Sequence, residues 1–170
     1  MQGCMIQGQA VPDALIGELP DSARLLDQPV VLRVRLATDG FVYLKGVLDK
    51  ALVAAARCEV FERLLEVGEV LPPAAAAIAS GSSRRDELVA DRGSFWKSVS
   101  EGPQLRALSH GGAMAHIMST LLAAPARPHD YMFLRAGAPG RATGLHYDYP
   151  FFTRAHDQLY PYGCRLAMFR

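Results

Sequence analysis

The sequence predicts an α+β fold in a single domain, and three observations carry that prediction. Its 170 residues suffice for a core, because chains of this size bury roughly 70% of the surface that unfolding exposes. Half of them are apolar and 21% are charged, the composition of an ordinary globular protein rather than of a disordered or fibrous one. Residues 50–67 carry the four-residue period of a helix, while short β-rich runs occur at 41–44 and 130–134.

The amino-terminal residues 1–20 mix Gly, Pro and Gln without a period and read as an irregular lead-in. Between Pro29 and Leu36 two patterns compete. Leu32, Val34 and Leu36 alternate with Arg33 and Arg35 as in a strand, whereas Asp27 ahead of Pro29 is a helix start. Residues 41–44, Phe-Val-Tyr-Leu after the turn signal Asp39-Gly40, predict a strand. Asp49 then offers an N-cap, Leu52, Ala56, Val60 and Leu64 recur every four residues, and Gly68 stands where the helix must stop. Ala74 to Ala77 read as a helix turn, and residues 80–94 as a polar loop whose Arg84-Arg85 pair faces solvent. Trp96 is read as a partly buried packing residue rather than a cleft wall. Pro103 suits the first turn of a short helix ending at His110-Gly111-Gly112, and a second helix follows with Met114, Ile117, Met118 and Leu121 on one face. His116 beside that stripe reads as a structural or surface imidazole. Residues 130–134 predict a strand, punctuated by Gly137-Ala138-Pro139-Gly140.

Several function classes are excluded or disfavoured at this level. A net charge of +1 with no basic face or nucleic-acid motif gives no reason to expect DNA or RNA as partner. Cys4, Cys58 and Cys164 are odd in number and far apart, which suggests neither a disulfide framework nor a thiolate zinc site. No basic and apolar leader opens the chain, and no apolar run reaches membrane-spanning length, so a soluble, cytoplasmic protein without a membrane partner is expected.

The chemistry concentrates at His146-Tyr147-Asp148. On a strand, residues two apart project from the same face, so His146 and Asp148 can point together at one ion while Tyr147 faces away. An imidazole and a carboxylate are two of the three protein ligands of a non-haem Fe(II) site, which leaves open positions for an oxidisable ligand and dioxygen. With five histidines and 17 acidic residues, a His-x-acid triplet arises by chance about once in two such chains, so the surroundings decide its meaning.

Residues 143–158, Thr-Gly-Leu-His-Tyr-Asp-Tyr-Pro-Phe-Phe-Thr-Arg-Ala-His-Asp-Gln, strongly resemble the iron-binding segment of the phytanoyl-CoA dioxygenase family. Residues 39–49 resemble that family's amino-terminal strand and helix start. Phe133-Leu134-Arg135 with Pro139-Gly140 resemble the strand and turn before its ligand strand, so the likeness covers roughly residues 20–160. The resemblance implies a helix rather than a strand at 28–38. It implies the amino-terminal part of a double-stranded β-helix, a cupin-like jelly roll with flanking helices. It also implies an Fe(II)- and 2-oxoglutarate-dependent dioxygenase that oxidises a small organic or acyl substrate with dioxygen and releases succinate and CO2. His146 and Asp148 are then the metal ligands. Tyr131, Arg135, Thr143 and Tyr149 are candidates to contact cofactor or cosubstrate, although for Arg135 and Arg154 a solvent-facing or structural ion pair is the favoured reading. His156 follows an aromatic turn and is expected to be structural rather than the third ligand.

After Tyr160 the likeness stops. Where the family continues with an apolar strand, residues 161–170 include Pro161 and Gly163, poor central-strand residues. A nucleotide lost near the Tyr160-Pro161 junction would account for this, making 161–170 a frameshifted tail on a truncated member. The family's distal histidine and its 2-oxoglutarate-anchoring arginine are then absent from this chain, and its activity is expected to be impaired. A non-catalytic remnant or binding module of the same fold is the alternative, and a hydrolytic metalloenzyme a distant third. The sequence fixes neither the substrate nor the oligomeric state.

Overall fold

Local capping chemistry sets most of the element boundaries in this computed structural model, which describes residues 5, 6, 8–130, 132 and 134. The chain divides into two units. One is Leu19–Arg135; of the other, the described residues are 5, 6 and 8–18. In the latter, the stretch expected to be irregular contains a small antiparallel hairpin, β1 (Met5–Ile6) against β2 (Gln9–Ala10), with Met5 opposite Ala10. A 3-10 turn at Asp13–Leu15 follows.

In the larger unit, helix α1 (Pro29–Asp39) starts with Pro29 in its first turn and ends at Gly40, whose φ of 76° only glycine adopts without strain. The alternating pattern here is therefore not a strand. Arg33 and Arg35, which alternation would place in solvent, instead reach neighbours: Arg33 Nη1 donates to Thr120 O at 3.1 Å and Arg35 Nη1 to Ser22 Oγ at 3.2 Å. Leu32, 0% exposed, is the inward residue.

The strand expected at residues 41–44 does not form. Tyr43 makes only an isolated bridge with Asp21, through Ser22 N donating to Tyr43 O at 2.7 Å. The Asp21 carboxylate pins both sides of this contact by accepting from Ala23 N at 2.9 Å and Lys45 N at 3.1 Å, and these bonds hold it below the usual aspartate range. Among the described residues this β-rich run has no partner strand and so no ladder to join, which overrides its propensity.

Helix α2 (Lys50–Glu66) forms as its signals predict. Asp49 Oδ1 accepts from Ala51 N and Leu52 N, each at 2.9 Å. At the far end Gly68 N donates to Leu65 O and Glu69 N to Leu64 O, both at 2.9 Å, with Gly68 left-handed at φ 73°, a Schellman close. Ala56, Val60, Phe61 and Leu64 are buried, whereas Leu52, counted on the periodic face, is exposed. A turn follows in which Ala74–Ala76 forms a 3-10 helix and Leu71 N bonds Ile78 O.

Residues 80–94 are not wholly loop. They contain α3 (Arg85–Leu88) and the start of α4 (Arg92–Ser100), because Asp91 supplies an N-cap, accepting from Gly93 N at 2.8 Å, Ser94 N at 3.3 Å and Ser94 Oγ at 2.7 Å. The Ser94 hydroxyl first, then the two amides, hold the Asp91 carboxyl below its ordinary range. Its unfolded counterpart titrates near pH ~3.9, so the cap's contribution is present above that pH and lost as pH falls through the lower folded value. Asp91→Ala is therefore expected to destabilise the protein at pH 7 and to lose that effect progressively below about pH 4. Urea unfolding of both proteins at pH 7 and pH 3 measures it; an equal difference at the two pH values contradicts the cap.

Helices α5 (Pro103–Ser109) and α6 (Gly112–Leu122) match the expected pair. In α6, Met114 and Ile117 are buried and Met118 and Leu121 half-buried, and α6 packs against α1. Helix α2 is the centre of the unit, packing on α5, α4 and the 3-10 turn, where Val99, Leu105 and Leu108 are also buried. Among the described residues no helix is long and apolar enough to cross a membrane.

Candidate metal centre

The described scaffold ends in a segment held by side chains rather than by a strand ladder. Pro125 and Pro128 restrict the backbone after α6, and Ser119 Oγ accepts from Ala126 N at 2.9 Å. Residues four apart share a helix face, so Arg106 and His110 project together from the end of α5. Arg106 Nη1 donates to Asp130 Oδ1 at 3.2 Å and Nη2 to Asp130 O at 3.1 Å. His110 Nε2 lies 3.1 Å from His129 O and its Nδ1 lies 2.8 Å from Ser109 Oγ. A carbonyl only accepts, so Nε2 carries a proton in this arrangement.

Beside these contacts lies an open cleft of about 560 Å3 lined by Lys97, Glu101, Arg106, His129 and Asp130. Its charges oppose one another, with Glu101 Oε2 4.0 Å from both Lys97 Nζ and Arg106 Nη2. Such a compensated rim has no net sign with which to select an ion. Cys58 is also poorly suited to ligation or nucleophilic attack. Its thiol donates to Glu62 Oε1 at 3.5 Å, and that bond, then desolvation and the nearby negative charge, push its pKa up and keep it protonated.

The metal ligands read from the sequence, His146 and Asp148, lie outside the described residues. So do Tyr131, Arg135, Thr143 and Tyr149, together with Arg154, His156 and the tail 161–170. Of the strand expected at 130–134, Asp130, Met132 and Leu134 are described and none is in a strand. The Asp130 carbonyl is already taken by Arg106. Among the described residues no three His, Cys, Asp or Glu side chains converge to hold a metal. His116 is exposed, as expected of a surface imidazole.

Sequence reasoning missed two other groups. Arg85, placed in solvent as half of a basic pair, is ion-paired with Glu69 and lies over Trp96, its guanidinium carbon 4.4 Å from the ring centroid. Arg84 alone is the solvent-facing member, 61% exposed and paired with Glu87. Glu59 Oε2 accepts from Gln104 N and Leu105 N at 3.0 Å each, and so caps α5 from α2. A glycine before a proline, Gly102-Pro103, was the one local hint that something approaches the start of α5 closely.

No family model, curated protein or solved structure matches the chain.

Proposed function

We propose that this chain carries the iron-ligating segment of an Fe(II)- and 2-oxoglutarate-dependent dioxygenase, acting on a small organic or acyl substrate. The observation that carries the reading is His146-Tyr147-Asp148 inside residues 143–158, whose likeness to the phytanoyl-CoA dioxygenase segment extends well beyond the two donors. The donor chemistry fits. A neutral imidazole and a carboxylate two residues apart would suit Fe(II) if the segment is extended, and would supply two of its three protein ligands. Bound iron and 2-oxoglutarate supply the oxidising chemistry, with dioxygen consumed and succinate and CO2 released.

The residues of this chain then have separable tasks. His146 would bind as the neutral ring, its second nitrogen donating to a neighbour that fixes the ring's orientation. Asp148 would bind as the carboxylate. Arg135 can meet a carboxylate of the cosubstrate through charge-assisted hydrogen bonds, and Tyr131, Thr143 and Tyr149 can orient it through their hydroxyls. A reducing, cytoplasmic setting belongs to the same proposal and rests on the odd number and wide spacing of Cys4, Cys58 and Cys164.

The test is succinate formation from 2-oxoglutarate with added Fe(II), together with anaerobic Fe(II) titration. His146→Ala is expected to abolish turnover and weaken Fe(II) binding by at least about ten-fold, since half of the identified donor set is gone. Fe(II) binding without succinate leaves the competing reading, a non-catalytic module of the same fold. Absence of both rejects the iron assignment.

A further inference from the structure

The charges around the cleft beside α5 balance only while Asp130 is docked there. Lys97 and Arg106 bring two cations to the rim, Glu101 brings one carboxylate, and Asp130 supplies the other. Glu101 satisfies neither cation closely. Its Oε2 stands 4.0 Å from both Lys97 Nζ and Arg106 Nη2, whereas charge-assisted hydrogen bonds run at about 2.7–2.9 Å. The Arg106 fork holds Asp130 instead, with Nη1 donating to the carboxylate at 3.2 Å and Nη2 to the backbone carbonyl at 3.1 Å. That carboxylate is fully exposed, and the arginine side chain is 35% exposed. We propose that this cleft binds a small carboxylate, and that Asp130 is a tethered competitor which fills it in the free chain. The site is independent of the iron assignment.

Geometry, displacement and charge each support this. A planar guanidinium matches the two oxygens of one carboxylate, but Asp130 offers it one carboxylate oxygen and one neutral carbonyl. A ligand carboxylate therefore improves on the contact that it replaces. Each Nη carries two N–H bonds, so Nη2 can serve a ligand oxygen and the Asp130 carbonyl together. Displacement then asks only that the Asp130 side chain turn into water. The backbone beside it stays in place, because His110 Nε2 holds the His129 carbonyl separately at 3.1 Å. Exposed ion pairs contribute little, so the competitor leaves readily. Once it has turned away, two cations face a single carboxylate across an open cleft of about 560 Å3, and the rim attracts anions.

The probe is N-acetyl-aspartate amide, a free copy of the group to be displaced, titrated into the full chain at fixed ionic strength. Backbone amide and Arg106 Nε–H NMR signals report binding. Saturable shifts are expected at residues 97–106 and 129–130, and none with N-acetyl-asparagine amide, the neutral isostere. Asp130→Ala should bind the probe about five-fold more tightly, the most that release from an exposed ion pair gives. Adding Arg106→Gln to that variant should abolish binding. Because Arg106 also holds the backbone at Asp130, Lys97→Gln provides a second variant at a position 71% exposed, and it should weaken binding without disturbing the fold. Equal affinity in wild type and Asp130→Ala overturns the role of Asp130 as competitor. The site itself is overturned if Asp130→Ala shows no saturable shift, if the neutral isostere binds equally well, or if binding survives both Arg106→Gln and Lys97→Gln.

Discussion

Arg85→Ala is expected to lower the unfolding free energy by about 2–3 kcal/mol and to shift the emission of Trp96 to the red. The guanidinium sits between Glu69 and the aromatic pair of α4, 4.4 Å from the Trp96 ring centroid and 5.7 Å from that of Phe95. Side-chain exposure is only 22% for Arg85 and 12% for Glu69, so removing the arginine strands a carboxylate that water can barely reach. Losing one partner of a fully buried pair costs about 3–5 kcal/mol, and the residual exposure here brings that down. The aromatic contact adds about 1 kcal/mol. Ser83 Oγ, 2.6 Å from Glu69 Oε1, cannot replace the lost charge. Trp96 is the one tryptophan of the chain, so its fluorescence reports this site directly. Arg85→Lys should recover only part of the loss, because an ammonium cannot both lie flat on the ring and reach Glu69. Urea unfolding followed by that fluorescence is the measurement. A change under about 0.5 kcal/mol with unaltered emission would return Arg85 to the solvated surface.

That pair shows where sequence reasoning stops. Pro29, Asp49, Gly68 and Pro103 mark their helices correctly because each acts within one turn of its own position. The Phe-Val-Tyr-Leu run at 41–44 misleads because a strand is a property of two segments, and here the partner is a single residue, Asp21. Arg84 and Arg85 look alike in the sequence, yet only one meets Glu69, and that depends on the Schellman turn at Gly68 bringing the following loop back over α4. Arg84 N donating to Val67 O at 2.8 Å is the bond that sets this return. For the candidate site, donor type and spacing at His146 and Asp148 are local features of the sequence. Contacts between residues far apart in sequence were not legible: Arg106 and His110 meet Asp130 and His129 across the whole of α6, and nothing in their own neighbourhood announces a partner.

Gly102 and Glu59 are expected to give a double-mutant cycle that fails to add. A Cβ at position 102 would overlap the Glu59 carboxylate, so Gly102→Ala forces that side chain away from the start of α5. Backbone strain plays no part, because Gly102 has φ −59° and ψ 146°, which alanine adopts freely. The cost is the cap itself. Glu59 Oε2 satisfies the amides of Gln104 and Leu105, two of the orphan donors of α5, and Pro103 has no N–H to offer. Leu105 is buried, so its amide has little water to turn to. Glu59→Ala and Gly102→Ala are each expected to cost about 2 kcal/mol, near the upper end for a lost cap, because the acceptor is charged and comes from a neighbouring helix. The double variant should cost about the same 2 kcal/mol rather than twice that, a coupling of about 2 kcal/mol. Chemical denaturation of the four proteins measures it. Strict additivity would mean that the alanine methyl acts on something other than the cap, and would separate the packing of α5 on α2 from the capping that fixes where α5 begins.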